Sequence, residues 1–397
     1  MSGDRLRLLL LALLLLSGVM AGAQLGKIAP LVPWLQAEGG FSLAGAGWLA
    51  SLIGLFVALA ALPAGWAIAR WGARPSFLLG GVLQFGGALM LALFAGGAGG
   101  AWGALGPRLV EGLGYLVLVI ATPALLAQLA KPAWRAAALA LWGGFVPLGF
   151  ATADFLALAL LPSPGPQAFL LVVALLFGLF ASLALILLRH VRDAEAPGSS
   201  DAATGSGKAL GLPAWSLAAS FGAYVVSSVA FFAFLPTFVG RAGSDVALAA
   251  GAVALTVPLG NVLAGVLLQG RGARSAAWLA LAGLIMGAIG AAAAFHASGE
   301  AATASLIVTA AAGGLAVSAL FAAIPAAAGL GSTALVLGLV AQAGGVGTVI
   351  GPPLGGWTVE TGGWPLFGWF LAGFGVLGAA ALFPLLRRPK GLVATGR

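Results

Sequence analysis

Four charged side chains interrupt the long apolar stretches of this sequence: Lys27, Arg108, Glu111 and Asp154. A charge at the centre of a bilayer costs about 2.5 to 3.5 kcal/mol on insertion scales, so charges in apolar segments mark candidate functional sites. The set is formally neutral, with two cations and two carboxylates. Cations attract an anionic solute, and a carboxylate can exchange a proton. These residue types therefore predict one site that binds an anion and carries a proton.

The composition shows what surrounds these charges. Of 397 residues, 61% are hydrophobic and 7% are charged, with 18 basic and 10 acidic side chains. Soluble proteins carry about 25% charged residues, so a soluble enzyme or nucleic-acid-binding domain is excluded. The pI of 11.1 does not restore the nucleic-acid class, because the basic residues are scattered. With no cysteine and two histidines, we expect no disulfide, no metal site and no cofactor.

Apolar runs long enough to cross a bilayer recur along the whole chain. A spanning helix needs about 20 mostly apolar residues. We expect twelve spans: 8–33, 47–69, 76–95, 103–129, 136–161, 168–188, 213–238, 246–269, 275–296, 302–327, 332–357 and 365–386. The fold class predicted is an all-α polytopic membrane protein with two six-helix halves. The halves are residues 1–190 and 213–387, joined by a polar linker at 191–212 and followed by a tail at 388–397.

The distribution of Lys and Arg predicts the orientation. With the N-terminus inside, most basic residues fall in inner segments, as the positive-inside rule requires. We therefore expect both termini in the cytoplasm and a multi-pass protein of the cytoplasmic membrane. Arg5 and Arg7 before an apolar run also resemble a cleavable signal peptide, whose removal would leave eleven helices. The even helix count keeps the charge asymmetry, which favours the uncleaved reading.

An internal repeat supports the two halves. Residues 65–74, between predicted helices 2 and 3, match residues 265–274, between helices 8 and 9, at four positions. The matched pairs are Gly65 and Gly265, Gly72 and Gly272, Ala73 and Ala273, and Arg74 and Arg274. Parallel repeats of this kind are typical of transporters.

The chain resembles the major facilitator superfamily over almost its whole length. Its signature after helix 2, G-x-x-x-D-R-x-G-R-[RK], is matched by Gly65, Arg70, Gly72 and Arg74. Ala69 stands where the family has an acid that helps to latch the two halves, so a strong latch at this position is not expected. The helix 4 signature R-x-x-x-G-x-G is matched by Arg108, Gly112 and Gly114.

A third pattern, G-P-x-x-G, separates branches of the family. Drug antiporters carry it in helix 5, where this chain has a partial form around Pro147, and a fuller form begins at Gly351 and Pro352 in helix 11. This placement weakens a drug-antiporter assignment. The run from Arg108 to Gly114 is more similar to the cyanate-permease-type branch.

The resemblance implies where the candidate site lies. In the family, helices 1, 4 and 5 line the central cavity, and these helices carry the four charges. Arg108, Glu111 and Tyr115 share one face of helix 4 by their i, i+3, i+7 spacing. Lys27, Arg108 and Tyr115 are the substrate-binding residues expected in this half, and either Glu111 or Asp154 is the expected proton carrier. The alternative is a structural ion-pair network, with Lys27 extending toward the membrane surface.

The second half carries no intramembrane charge. Its expected contributions to substrate binding are Tyr224, Asn261 and Gln342, each with a helix–helix hydrogen bond as the alternative. Residues expected to serve conformational gating rather than binding are Gly65, Arg70, Gly72, Arg74, Gly265, Gly272, Arg274, Pro147, Gly351 and Pro352.

Together, these features predict a proton-coupled secondary transporter that moves a small, anionic solute by alternating access. Its expected partners are the solute, protons and the lipid bilayer, without nucleic acid, and we expect a monomer that is not an enzyme. Multidrug efflux is the first alternative, and a non-transporting sensor with a transporter fold is the second.

Overall fold

The computed structural model describes residues 3–94, 100–131, 138, 141–190, 210–240, 246–269, 271–324, 327 and 333–387. Residues 191–209 of the predicted linker and the tail at 388–397 lie outside this part of the chain. Within it, every regular element is helical and no strand occurs. The all-α prediction is confirmed for these residues.

Fifteen α-helices are numbered here in chain order. They are α1 (Gly3–Gly26), α2 (Val32–Ala37), α3 (Leu43–Ser51), α4 (Leu55–Trp71), α5 (Ala73–Phe94), α6 (Gly100–Leu129), α7 (Phe145–Leu160), α8 (Pro166–Leu188), α9 (Leu212–Gly240), α10 (Val246–Ala254), α11 (Thr256–Leu268), α12 (Ala273–Ala294), α13 (Gly299–Ala322), α14 (Thr333–Ala381) and α15 (Phe383–Leu386). Short 3-10 turns at Ala29–Leu31 and Leu52–Gly54 follow α1 and α3. We call α1–α8 the first helix set and α9–α15 the second.

In the part of the chain that the structure describes, helices overlap each of the predicted spans. Among the described residues, ten helical segments are long and apolar enough to cross a membrane, and Phe145–Leu160 is a shorter apolar helix. The segment Leu335–Leu386 has 52 residues, enough for two crossings. Gly363 divides it, because its backbone takes φ 70, outside the helical region. The two arms of α14 therefore correspond to the eleventh and twelfth predicted spans.

Two predicted helices are interrupted at a distance set by proline. The predicted spans 8–33 and 246–269 each occur as one apolar segment, Asp4–Ala37 and Ala249–Leu268, but neither is one continuous helix, since α1 ends at Gly26 and α10 ends at Ala254. Each end lies four residues before a proline, Pro30 and Pro258. A proline has no N–H to donate to the carbonyl four residues earlier, and its ring crowds that carbonyl. The chain continues after a short turn in both places.

Two further differences concern the second and fifth spans. The predicted helix 47–69 is divided into α3 and α4 by the turn Leu52–Gly54. The predicted helix 136–161 is interrupted by a turn at residues 143–144, and α7 begins at Phe145. Pro147 thus lies in the first turn of α7, where a proline costs little, and not in a helix interior as predicted.

The two helix sets pack against each other through α14 with α3 and α4, and through α7 with α10. Within the first set, α1 packs against α6, α7 and α8. Between the sets, the first arm of α14 packs against α3 and α4, and α7 packs against α10. Glycines of α1 lie on α7 in matching order, Gly22 against Phe145 and Gly26 against Phe150. These contacts place the predicted charges of α1, α6 and α7 inside the bundle.

Candidate functional site

Three of the four predicted charges form one fully buried network. Lys27 Nζ lies 2.5 Å from Glu111 Oε1, and Arg108 Nη1 lies 2.5 Å from Glu111 Oε2. All three side chains have 0% exposure. Glu111 therefore holds one cation on each of its oxygens. Lys27 directly follows the end of α1, and α6 supplies the other two residues, so the network joins these helices.

Arg108 also binds the ends of two broken helices. Its Nη1 donates to the Gln24 carbonyl at 2.8 Å, in the last turn of α1. Its Nε and Nη2 donate to the carbonyls of Leu49 (3.1 Å) and Ala50 (3.0 Å), in the last turn of α3. The last four carbonyls of a helix have no intrahelical partner, and this end carries the negative pole of the helix dipole. Arg108 thus satisfies both ends with its hydrogen bonds and its charge.

Two buried amide side chains lie in the same region and were not predicted from the sequence. Gln24 Oε1 accepts a hydrogen bond from Lys27 Nζ at 2.6 Å, and Gln24 Nε2 donates to the Val173 carbonyl of α8 at 3.2 Å. Gln84 of α5 donates to the Ala21 carbonyl at 3.4 Å, and its Oε1 is buried without a partner among the described residues. Gln24 precedes Lys27 by three positions, a spacing that places both on one helix face. That spacing could have identified it.

The network carries one excess positive charge. Lys27 and Arg108 contribute two positive charges and Glu111 one negative charge. An ammonium group has three N–H donors. Lys27 uses two of them, on Gln24 and Glu111, and the third has no acceptor among the described residues. The free donor and the excess charge make Lys27 the cation of this network that is able to take another negative group.

Asp154 is buried outside the network. It is 2% exposed, its Oδ1 has no hydrogen-bond partner, and the described residues offer it no ion pair. Phe150, one helical turn earlier on the same face of α7, packs on Gly26 at the end of α1. The next residue, Phe155, packs on Gly251 of α10 in the second helix set. Asp154 is therefore an unpaired carboxyl on a helix that contacts both sets.

The predicted binding residues of the second half do not meet the charge network through any described hydrogen bond. Asn261 Oδ1 accepts from Ser318 at 3.2 Å, linking α11 to α13. Gln342 is half-buried, and its Oε1 has no partner among the described residues. Tyr115 is buried on α6, with its ring centre 6.4 Å from that of Phe145. The asparagine thus has the helix–helix hydrogen bond that was the alternative to binding.

Tyr224 lines a small cavity inside the second helix set. The cavity measures about 40 Å³ and is lined by hydroxyl groups, aromatic rings and glycines, including Ser227, Ser228 and Thr309. By this measure a cavity needs about 10 to 15 Å³ to hold one water, so this space holds a few water molecules.

The predicted gating residues lie at both ends of the helices. Added side-chain atoms at Gly65, Gly265 and Gly272 would meet nothing within 4 Å, and Arg274 is exposed. Gly72 takes φ 96 at the end of α4, which a glycine adopts without strain. Arg70 lies over the Trp66 ring at 5.9 Å. Arg74 Nη1 donates to the Leu188 carbonyl at 3.1 Å, within the first helix set. Both of these arginine contacts lie within the first helix set.

The glycine–proline segment of α14 packs tightly on both sides. Gly351 lies against the Val226 backbone of α9, within the second helix set. The Pro352 carbonyl lies against Gly47 of α3, in the first helix set. Pro352 is therefore part of a contact between the sets.

The described residues contain no group of three His, Cys, Asp or Glu side chains that could hold a metal ion.

Comparison with known proteins adds a family and a fold. The sequence model of the Major Facilitator Superfamily matches residues 14–341. No curated protein matches the sequence. The fold is similar to the E. coli xylose transporter XylE in a partially occluded inward-open conformation, with a TM-score of 0.74 and 16% identity over 96% of this chain and 99% of that one.

Two further solved structures share the fold at 19% identity and a TM-score of 0.71. One is a bacterial homolog of the human lysosomal transporter Spinster, inward-facing and occupied, with 95% of this chain and 96% of that chain covered. The other is a D-xylose-proton symporter, with 94% of this chain and 96% of that chain covered. At these identities the likeness concerns the fold alone.

Proposed function

This multi-pass membrane protein belongs to the major facilitator superfamily, and we propose that it is a proton-coupled secondary transporter of a small anionic solute. Residues 1–190 and 213–387 act as two halves that expose one site alternately to the two sides of the cytoplasmic membrane. One observation carries the proposal. Asp154 is a buried carboxyl with no hydrogen bond or ion pair among the described residues, and a separate buried network carries one excess positive charge.

The charges account for coupling between a proton and an anion. With Asp154 ionised, the four buried groups are neutral together. With Asp154 protonated, they carry a net charge of +1, which an anion can neutralise. Each ligand therefore favours the binding of the other, and this linkage is reciprocal. An uncompensated buried charge is costly. The fully loaded and the empty transporter therefore change between the outward-open and inward-open conformations more readily than the half-loaded transporter does. The expected mode is symport of one proton with one negative charge.

The roles of the two carboxylates differ in this proposal. Glu111 is held by a cation on each oxygen, Lys27 on one and Arg108 on the other. Asp154 has no such partner among the described residues, and an isolated buried carboxyl is most stable when protonated. We therefore assign the proton to Asp154 and the neutralising charge of the network to Glu111. The D-xylose-proton symporter shares the fold, and its described coupling ion is consistent with this assignment.

Reconstitution into liposomes tests the function. An imposed pH gradient, acidic outside, is expected to drive accumulation of a solute from a panel of small inorganic and organic anions, with proton uptake in parallel. The same panel includes neutral pentoses and amphipathic drugs. Accumulation of a pentose but of no anion would contradict the substrate class. Absence of accumulation and of proton flux with every compound would contradict coupled transport itself.

Lys27→Met tests the anion-binding role. The variant removes the free N–H donor and the excess positive charge, while Glu111 keeps its ion pair with Arg108. We expect anion uptake to fall by tenfold or more, since a hydrogen bond to a charged group contributes about 1.5 to 3 kcal/mol. The measurement is initial uptake rate against anion concentration.

The matched control is Lys131→Met, because Lys131 pairs with Asp4 at 2.8 Å on an exposed surface. That variant is expected to transport normally. Normal anion uptake by Lys27→Met would contradict the role of Lys27. Normal efflux of amphipathic drugs by Lys27→Met, without anion uptake by the unmodified protein, would support the multidrug reading.

A further inference from the structure

The two helix sets touch backbone to backbone at one end of the bundle. Gly47 of α3 lies against the Pro352 carbonyl, and Gly356 of α14 lies against the backbones of Leu43 and Ala44. Side-chain atoms at either glycine would collide with the facing main chain. We call this contact between residues 42–47 and 352–360 the outer seam, because the proposed orientation places it on the outer side.

An acidic side chain of one set binds the helix N-terminus of the other at the outer seam. Glu360 Oε1 accepts a hydrogen bond from the backbone N–H of Ala44 at 3.0 Å. Ala44 is the second residue of α3, and the N-cap Ser42 accepts from the next N–H, that of Gly45. The first N–H groups of a helix have no intrahelical partner and carry the positive pole of its dipole. A carboxylate at this position is stabilised by both effects.

An aromatic cluster fixes the segment that presents Glu360. Three residues after Glu360, the chain turns at Gly363 and places Trp364 and Phe367 among rings from α9 and α12. The ring-centre distances are 5.0 Å for Phe238 and Trp364, 5.9 Å for Phe295 and Trp364, 5.9 Å for Phe234 and Phe367, and 5.0 Å for Phe295 and Phe367. Aromatic pairs of this kind stabilise the contact of the second arm of α14 with its neighbours. Glu360 therefore lies three residues before a segment that is anchored by aromatic packing.

The opposite end of the bundle has no equivalent contact in the described residues. Ala69 occupies the position of the acid in the signature after helix 2, and Gly65 and Gly265 face open space. Arg74 binds the end of α8 in its own set. A charge–dipole contact between the sets is thus present at the outer seam.

We propose that Glu360 is the outer gate residue of the transport cycle, and that its bond to the N-terminus of α3 holds the outer side closed. The proposal rests on the alternating-access part of the proposed function. Opening the outer side separates residues 42–47 from residues 352–360 and breaks this bond. Neutralising Glu360 is therefore expected to raise the population in which the outer seam is open.

A buried reporter at the seam measures that population. The chain contains no cysteine, so Ser51→Cys introduces a single thiol. Ser51 is fully buried and lies on the face of α3 that includes Gly47, which contacts α14. In nanodiscs, the rate of maleimide labelling at this thiol reports opening. With Glu360→Gln or Glu360→Ala added, we expect the rate to rise about twofold to fivefold, the size of a charge–dipole contact near a surface.

The matched control is Glu300→Gln, an exposed acid in the first turn of α13, for which no rate change is expected. An unchanged or slower rate in both Glu360 variants, with a thermal unfolding midpoint equal to that of the reporter alone, would overturn the proposal. Labelling requires neither solute nor proton gradient. The Glu360 proposal can therefore fail while transport is normal, and transport can fail while Glu360 still holds the outer seam closed. These two results are distinguishable.

Discussion

Asp154→Asn is expected to abolish proton-driven accumulation while anion exchange continues. Asparagine resembles the protonated carboxyl in shape and charge, so the buried charges keep the net +1 that accepts an anion. It cannot release a proton. One pH unit corresponds to about 1.4 kcal/mol, so electroneutral one-to-one symport accumulates the anion about tenfold per unit. The variant is expected to reach a ratio of about one, with counterflow of labelled anion retained.

Asp4→Asn is the matched control for this result. Asp4 is exposed at the start of α1 and pairs with Lys131. Its neutralisation removes the same charge from a solvated position, and accumulation is expected to remain as in the unmodified protein. Proton-driven accumulation by Asp154→Asn equal to that of the control would assign the proton elsewhere. Loss of counterflow together with accumulation would show that Asp154 is needed for more than proton exchange.

The fold could be predicted from the sequence except where a tertiary contact decides it. The breaks after Gly26 and Ala254 follow from Pro30 and Pro258 and were within reach of sequence rules. Pro63 and Pro236, however, lie inside continuous helices, so the presence of a proline alone does not locate a break. The break between α3 and α4 contains no proline. The carbonyls of Leu49 and Ala50, in the last turn of α3 before this break, bind Arg108, a residue 58 or 59 positions away in sequence.

The candidate site was predictable by residue type and less so by pairing. Depth and i, i+3 spacing identified Lys27, Arg108 and Glu111, and the structure places them together. The same reasoning grouped Asp154 with them, yet the described structure gives it no ion pair. Which face of α7 meets which neighbour depends on the contacts of Phe150 and Phe155 with α1 and α10. Those contacts cannot be read from one helix alone.

The geometry separates two cations that the sequence treated alike. Both were expected to bind the anion. Lys27 keeps a free donor, whereas Arg108 uses four of its five N–H groups on Glu111 and three main-chain carbonyls. A side chain committed in this way positions helix ends, and releasing it for a substrate would leave carbonyls of α1 and α3 without partners. Stability and transport should therefore respond differently to the two residues.

Arg108→Ala is expected to destabilise the protein more than any other neutralisation of the network. Removing one partner of a buried charged pair costs about 3 to 5 kcal/mol, because the remaining charge is left in an apolar interior. Here the carbonyls of Gln24, Leu49 and Ala50 lose their donor as well. The measurement is the thermal unfolding midpoint in detergent, followed by size-exclusion fluorescence. Lys27→Met is expected to lower the midpoint less, since the Arg108–Glu111 pair survives.

Arg108→Lys tests whether the positive charge alone is needed or whether the directional hydrogen bonds of the guanidinium are needed as well. Lysine keeps the positive charge near Glu111, but its compact ammonium cannot reach the ends of two helices in the fixed directions of a guanidinium. If Arg108 joins α1 and α3, Arg108→Lys restores only a minor part of the stability that Arg108→Ala loses. If Arg108 serves only to neutralise Glu111, it restores most of it. Arg271→Ala, which removes an exposed cation between α11 and α12, sets the scale, because an exposed charge contributes at most about 1 kcal/mol. A midpoint for Arg108→Ala equal to that of Arg271→Ala would remove the structural role and return Arg108 to the list of substrate ligands.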